Sequence, residues 1–339
     1  MTQPRKRLIS LDDTPWYHCV SRCVRRAFLC GSGEGYDFEH RRGWIVQRIK
    51  QLAAIFTIDI AAYAIMSNHY HVVLRVNRDA AESLTREEVI ERWRQLFKGP
   101  VLVQRYQAGG SLTKPELEIV DAIVEDWRQR LSDISWFMRC LNEPIARWAN
   151  QEDNCTGRFF EGRFKSQALL DERAVLSCMA YVDLNPIRAG MADTPESSHF
   201  TSIQERLGIK PETLVEPQIE PDTETALSMA ELMSFSGGEH HGHQPQHLPF
   251  DLIDYLELVD WSGRAIRDDK RGAIKESLPG ILQRLGLPSK DWLDTCCHIE
   301  RRFGRAIGPV AKVSELCESL HLNWMHGIRN CRRLYPQTG

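Results

Sequence analysis

The segment from Ile58 to Val76 constrains the fold of this chain most strongly, because it holds two strand-like runs that almost meet. The first run is IDIAAYAIM (58 to 66), the second is HYHVVLRV (69 to 76), and only Ser67 and Asn68 separate them. A short polar break between two such runs is typical of a β-hairpin or a sharply bent strand pair. The segment therefore predicts two neighbouring strands in one sheet.

The second run carries two histidines on the same face of its strand. Side chains along a strand point alternately to opposite faces, so His69 and His71 are expected side by side, while the other face is wholly apolar or aromatic. We expect the apolar face to pack on the core and the histidine face to lie at the surface of the sheet. Adjacent imidazoles there can chelate one cation, although histidines that simply decorate an exposed strand show the same pattern.

Regular patterns of apolar residues place further elements around this strand pair. The expected elements are a strand at 16 to 22, helices at 39 to 56 and 134 to 148, a strand within 157 to 169, and a last helix that Asp171 caps and that runs to Leu184. Residues 79 to 127 are charged and interrupted by KGP (98 to 100) and GGS (109 to 111), which is typical of an inserted, surface-lying helical region. This order of elements predicts an α+β fold.

With 339 residues the chain is long enough for two domains. We assign residues 1–195, with an insert at about 79–127, to the first domain, and residues 250–339 to a helical C-terminal domain. Residues 196–249 are acidic and rich in histidine, as linkers are. The linker histidines are expected to be solvated and not to bind a metal; they are His240, His241, His243 and His247.

The net charge of −3 conceals two basic ends of the chain. Residues 1–78 hold 12 Lys or Arg against 6 Asp or Glu, and residues 261–339 hold 14 against 8. Local basic faces of this kind suit a polyanion. No apolar run approaches the roughly 18 residues that span a bilayer, and no apolar signal segment is evident, so we expect a soluble, cytoplasmic protein without a membrane partner. Ten scattered cysteines form no disulfide framework and are expected to be reduced.

The last expected helix offers a phenol and an amide on one face. Its apolar stripe consists of Val175, Leu176, Met179 and Val182. Tyr181 lies about 150° from the centre of that stripe, so its hydroxyl is not needed for the core. Asn185 is one turn further on the same face, and Pro186 should end the helix or begin a new turn. The two polar groups can then converge on one point; the alternative is a half-buried Tyr181 with its hydroxyl in water.

Four segments in order carry a resemblance to a known family. They are YHCVSR (17 to 22), AYAIMSNHYHVVL (62 to 74), GRFFEGRFKS (157 to 166) and AYVDLNPIRAGM (180 to 191). Together they resemble the REP-associated tyrosine transposases and their insertion-sequence relatives, the single-tyrosine HUH transposases. The resemblance covers about residues 14–207 without most of the insert. It implies a ferredoxin-like (RRM-like) antiparallel sheet with helices on one face.

The resemblance also implies a site and a reaction. By position, the metal-binding histidines fall on His69 and His71, the nucleophile on Tyr181, and a further metal partner on Asn185. The implied cofactor is Mg²⁺ or Mn²⁺, since imidazoles favour Mn²⁺ whereas oxygen ligands and cellular abundance favour Mg²⁺. Tyr181 would attack single-stranded or hairpin DNA to form a 5′-phosphotyrosine, and the freed 3′-hydroxyl could reverse the step without ATP. We therefore expect a nucleoid-associated enzyme of DNA transposition and recombination, as a monomer or a homodimer.

Basic and aromatic residues near two of these segments are candidates for contact with DNA. The basic candidates for binding the backbone are Arg22, Arg25, Arg26, Arg158, Arg163 and Lys165. Ordinary solvated charge is the alternative for the arginines. Three phenylalanines either stack on bases or, as the alternation of a half-buried strand favours, pack mostly into the core: Phe159, Phe160 and Phe164.

Two other functions fit parts of the pattern. A domesticated protein could bind hairpin DNA or RNA without cutting it, although binding alone does not need His69, His71 and Tyr181. An RRM-like RNA-binding module would carry aromatic platforms on its central strands, where this chain has histidines. The basic C-terminal domain could grip duplex DNA or a partner protein. Metal-dependent nicking of a single-stranded oligonucleotide separates these possibilities.

Overall fold

A computed structural model describes most of the chain. The described residues are 8–24, 29–33, 36–209, 228–236, 247–267 and 279–335. Arg25, Arg26 and three of the linker histidines, His240, His241 and His243, lie outside them. Among the described residues, no helix is both long enough and apolar enough to cross a membrane.

Five strands form one mixed sheet in the described part of the chain. The strands of both sheets in the described residues are β1 (Trp16–Arg22), β2 (Ser32–Gly33), β3 (Tyr36–Asp37), β4 (Ile58–Ile65), β5 (His69–Val76), β6 (Lys165–Leu169) and β7 (Ala306–Ile307). The order across the sheet is β4-β5-β1-β6-β7, and β2 pairs with β3 separately. Neighbours in the large sheet are antiparallel except for β6 and β7, which are parallel. The predicted strand pair is confirmed as β4 and β5, with a register shift between Ile60 and Ala62.

Helices fill the connections. They are α1 (His40–Ile55), α2 (Arg78–Ser83), α3 (Arg86–Arg94), α4 (Val101–Gln107), α5 (Lys114–Leu131), α6 (Ile134–Glu152), α7 (Glu172–Asp183), α8 (Asn185–Arg188), α9 (Ser202–Arg206), α10 (Leu252–Ile266), α11 (Gly280–Arg284), α12 (Ser289–Arg302), α13 (Val310–Ser319) and α14 (Ile328–Leu334). The expected insert is helical, and Arg92 of α3 donates to the carbonyls of Ala54 and Ile55, which ties it to the end of α1. The coarse prediction of an α+β fold is confirmed.

Helices cover both faces of the sheet, so the expectation of helices on one face alone is wrong. On one face, Tyr70 of β5 donates to Oδ1 of Asn142 in α6, 2.6 Å away. The opposite face carries His71 together with the small residues Ala62 and Ala64, which are fully buried. Because these side chains are short, α7 packs closely over them against β4, β5 and β6. The histidine face is therefore interior, although it was expected to lie at the surface.

The strand expected within residues 157–169 begins only at Lys165. Before it, Gly157 has a φ of +112°, a left-handed conformation that interrupts an extended chain. Phe160 forms a single bridge with Cys23 and no ladder. The segment 157–164 is therefore a loop that closes over the end of β1.

The C-terminal part of the chain adds its own strand to the large sheet. In this pairing, the backbone N–H of Ala168 donates to the carbonyl of Arg305 at 2.7 Å, and that of Leu170 donates to the carbonyl of Ile307 at 2.9 Å. Helix α12 packs along α7, and its Glu300 reaches His71 and Arg22 of the sheet. The C-terminal helices thus lie directly beside the elements that carry the histidines and the tyrosine.

Candidate active site

Strand pairing places three histidines together. His71 lies opposite Val20 in the β1–β5 ladder, and His69 lies opposite Arg22, so His18 of β1 shares the same face of the sheet. The rings of His69 and His71 have centroids 4.8 Å apart, and those of His18 and His71 are stacked at 5.1 Å. His18 and His71 are buried and His69 is half-buried. The site is a short row of imidazoles that opens to solvent at His69.

Helix α7 places Tyr181 against this row. The helix begins at the predicted cap, because Oδ1 of Asp171 accepts from the backbone N–H of Ala174 at 2.9 Å. The ring of Tyr181 lies 5.6 Å from that of His71 and 6.1 Å from that of His18, edge-on to both. Tyr181 is only 4% exposed. The expectation that Tyr181 stands outside the core is wrong, because its ring faces the buried histidines of the sheet.

Asn185 reaches the same histidine from the next turn. As expected, α7 ends just before Asn185 and Pro186, and a separate turn, α8, begins there. Nδ2 of Asn185 lies 2.9 Å from Nε2 of His71, and both side chains are buried. The carboxamide therefore lies at Nε2 of His71, while Nδ1 of the same ring faces His18.

Glu300 of α12 completes a set of possible metal ligands. Its Oε1 lies 3.7 Å from Nε2 of His71, and its Oε2 lies 3.6 Å from the guanidinium of Arg22. The ligand atoms of His69, His71 and Glu300 all lie within 4.8 Å of one another, and no other such group of three or more His, Cys, Asp or Glu occurs in the described residues. Two imidazoles and one carboxylate are compatible with a divalent cation.

Burial keeps the three imidazoles neutral at physiological pH. Desolvation, with a further contribution from Arg22, lowers the pKa of His69 to about 4. The pKa of His71 falls well below its ordinary value because the ring is buried beside two other histidines, and burial also lowers that of His18. A neutral imidazole keeps one nitrogen lone pair, which is what a metal ligand requires.

The charge around Tyr181 is balanced between an acid and a base. Burial and, to a smaller extent, the nearby carboxylate of Glu300 raise the pKa of Tyr181 to about 12, while Arg188 opposes the shift. The guanidinium carbon of Arg188 lies 4.5 Å from the centre of the Tyr181 ring. One of its terminal nitrogens is buried and makes no hydrogen bond to the described residues. Arg188 is therefore a cation with unused donor capacity next to the phenol.

The candidate DNA-binding residues are spread around this site. Arg22 and Lys165 lie on the histidine face, since Lys165 pairs with Val20 of β1. Arg158, Arg163 and Lys165 are exposed, whereas Arg22 is half-buried beside Glu300. Burial excludes the three phenylalanines as base-stacking platforms in this conformation; they are Phe159, Phe160 and Phe164.

Four site residues were not found from the sequence: His18, Gln167, Arg188 and Glu300. His18 follows from the alternation of β1, because it shares a face with Arg22. Arg188 lies in the same quoted segment as Tyr181, one turn beyond Asn185. No local pattern identifies Glu300, which comes from a helix more than one hundred positions further along the chain.

The sequence matches no protein-family model and no curated protein. This chain is similar in structure to a solved structure described as a REP-associated tyrosine transposase bound to a REP hairpin. The similarity covers 69% of this chain and 100% of the chain in that structure. The identity is 11% and the TM-score is 0.36. A likeness this distant carries no argument about activity, so a function has to be argued from the site itself.

Proposed function

We propose that this chain is a metal-dependent single-strand DNA transesterase, a transposase-like nickase and strand transferase that acts on hairpin or repeat DNA. One observation carries the proposal: the ring of Tyr181 lies 5.6 Å from His71, which lies 4.8 Å from His69. A nucleophile and two neutral imidazoles thus face one another between α7 and the sheet. The strand order β4-β5-β1-β6, with antiparallel neighbours, supports the ferredoxin-like arrangement that the resemblance implies.

The residues around His71 fit a divalent cation. His69 and His71 would supply nitrogen ligands and Glu300 an oxygen ligand close to Nε2 of His71. The amide of Asn185, whose Nδ2 lies 2.9 Å from Nε2 of His71, would turn its oxygen to a bound cation as a second oxygen ligand. This mixed set suits Mn²⁺, and the two oxygens make Mg²⁺ acceptable. When bound, the cation would polarise the scissile phosphate and offset the negative charge of Glu300. Offsetting that charge would lower the pKa of Tyr181, because Glu300 is one of the groups that raise it.

Tyr181 is proposed to act as the covalent nucleophile. Its phenol must lose a proton before attack, and Arg188, whose guanidinium carbon lies 4.5 Å from the centre of the ring, would stabilise the resulting anion. The phenolate oxygen then bonds to phosphorus, and the 3′-oxygen of the preceding nucleotide leaves and takes up a proton. The products are a 5′-phosphotyrosine and a free 3′-hydroxyl, and attack by a 3′-hydroxyl reverses the step. The buried, unbonded nitrogen of Arg188 would satisfy its hydrogen bond on a phosphate oxygen.

The experiment is adduct formation with a labelled library of single-stranded DNA in which random sequence flanks a hairpin. With Mg²⁺ or Mn²⁺, the wild-type protein is expected to give a covalent protein–DNA band on a denaturing gel. Tyr181→Phe should abolish the band and retain DNA affinity, since one hydroxyl is lost and no charge changes. The matched control is Tyr70→Phe, because Tyr70 lies between the two histidines on β5 but points to the opposite face. An equal yield of adduct from Tyr181→Phe would refute the assignment.

A second candidate function is binding of hairpin DNA or RNA without cleavage. Two observations favour it: Tyr181 is only 4% exposed, and its pKa is raised to about 12. Both oppose attack in the conformation described. A wild-type protein that binds the hairpin library in a salt-dependent manner, with no covalent band under either metal ion, would support this candidate over the enzyme.

A further inference from the structure

A buried histidine in the site has no role in the reaction proposed above. His18 is 2% exposed and stands between His71 and Gln167 in the plane of the sheet. Its Nε2 lies 2.9 Å from Nδ1 of His71, and the two rings are nearly parallel, at 16°. Its Nδ1 lies 3.4 Å from Oε1 of Gln167. A polar side chain so enclosed needs its hydrogen bonds satisfied, so the direction of each bond can be worked out.

The direction of the first hydrogen bond is fixed by a backbone carbonyl in the C-terminal region. Nε2 of Gln167 lies 2.7 Å from the carbonyl oxygen of Gly304, and only an N–H group can donate to that oxygen. The amide oxygen of Gln167 must therefore face His18, where it accepts a hydrogen from Nδ1. A neutral His18 that carries its hydrogen on Nδ1 has a lone pair on Nε2. Nδ1 of His71 must then be the donor in the 2.9 Å contact between the two rings.

The other side of His71 requires the same arrangement. With its hydrogen on Nδ1, a neutral His71 has its lone pair on Nε2, which faces Asn185 at 2.9 Å and Glu300 at 3.7 Å. The amide N–H of Asn185 can donate to that lone pair. A hydrogen on Nε2 would instead meet the amide hydrogens of Asn185 and leave Nε2 of His18 without a donor. Contacts on both nitrogens of His71 thus agree on one tautomer.

We infer that His18 and Gln167 are positioning residues that hold His71 in its Nδ1–H tautomer, so that Nε2 presents a lone pair to a divalent cation. The inference rests on the proposed function for the cation, whereas the tautomer itself is a property of the metal-free protein. Histidine ligands commonly donate their second nitrogen to an acceptor that fixes the ring, and loss of such a partner typically costs about 10- to 100-fold in metal affinity. Here the acceptor is a second imidazole, which is in turn fixed by an amide.

The test combines the tautomer with binding of Mn²⁺ alone. Long-range ¹H–¹⁵N correlation spectra of the metal-free wild-type protein should show His71 protonated at Nδ1 and unprotonated at Nε2. His18→Phe keeps a ring in place but removes the acceptor, and should weaken Mn²⁺ binding, measured by electron paramagnetic resonance, about 10- to 100-fold. His18→Gln returns an amide oxygen to the position of Nε2 and should restore affinity to within about threefold, less than the loss expected without an acceptor. A merely structural role would lower the melting temperature without this rescue.

The outcomes separate this inference from the function on which it rests. A wild-type His71 protonated at Nε2 overturns the inference, even if His18→Phe does not fold. Unchanged Mn²⁺ affinity in a folded His18→Phe variant overturns the positioning role and leaves the cation site intact. The expected tautomer without Mn²⁺ binding by the wild-type protein overturns the cation site, and with it the proposed function.

Discussion

Replacing Asp183 with alanine should destabilise the fold by about 4 kcal/mol, because this carboxylate holds the end of α7 in place. Asp183 is fully buried two residues after Tyr181. Its Oδ1 accepts from the hydroxyl of Ser202 at 2.5 Å and from the N–H of Ile203 at 2.9 Å, and its Oδ2 accepts from the hydroxyl of Tyr255 at 2.5 Å. One side chain thus joins α7 to α9 and to α10.

The magnitude follows from the donors that alanine leaves without a partner. Ser202 can turn to the carbonyl of Tyr63, which is 3.4 Å away. The N–H of Ile203 and the hydroxyl of Tyr255 have no such alternative in the contacts described, and each unsatisfied buried donor costs about 1–3 kcal/mol. Two of them give about 2–6 kcal/mol, a large part of the roughly 5–15 kcal/mol that stabilises a typical protein.

Asparagine is the informative second variant. Its carbonyl oxygen keeps the bonds from Ser202 and Ile203, and its amide can donate to Tyr255, so we expect a loss of about 1 kcal/mol or less near pH 5. Burial raises the pKa of Asp183 in the folded protein, so the unfolded state ionises first as the pH rises. The wild-type protein should therefore lose stability from about pH 4 upward, through the folded pKa, and Asp183→Asn should gain relative to it over that range.

The assay is urea unfolding followed by tryptophan fluorescence at pH 4, pH 5 and pH 7. Asp193→Ala is a suitable control, because Asp193 is an exposed aspartate and such substitutions usually change stability by no more than about 0.5 kcal/mol. A loss below about 1 kcal/mol for Asp183→Ala would refute the reasoning, since even one orphaned donor should cost that much. A constant difference between the free energies of unfolding of Asp183→Asn and wild type from pH 4 to pH 7 would refute the electrostatic part alone.

Two further predictions concern ligands and packing. Glu300→Gln should weaken Mn²⁺ binding at least about 10-fold in titration calorimetry, whereas the exposed control Glu315→Gln should not; equal affinity in both would exclude Glu300 as a ligand. Gly308→Ala should cost about 1–3 kcal/mol in urea unfolding, because a Cβ there would lie 2.6 Å from Cβ of Leu170, while Gly280→Ala, with open space around it, should cost far less. Similar losses of stability in the two glycine variants would contradict this prediction, because they would show that Leu170 moves to make room for the added methyl group.

Local patterns predicted the elements that carry the site, and distant contacts decided how the site is enclosed. The alternation of β5, the cap at Asp171 and the break at Pro186 each depend on a few neighbouring residues, and each is confirmed. The burial of Tyr181 depends on the histidines that β1 and β5 bring together, and the position of Glu300 depends on α12, whose packing along α7 no local pattern encodes. The segment 157–164 has the composition of a strand, but a left-handed Gly157 breaks the extended chain and makes it a loop.

The parallel pairing of β7 with β6 determines how the C-terminal region has to be investigated. If the chain were cut before β7, the N–H groups of Ala168 and Leu170 would lose their acceptors, and the carbonyl of Leu170 would lose the donor on Lys312. The exposed edge of β6 could then pair with a strand of another chain. A shortened protein could therefore associate with itself in a way that the intact protein does not. Single side-chain replacements that leave this backbone ladder whole are therefore the sound way to assign a role to the last ninety residues.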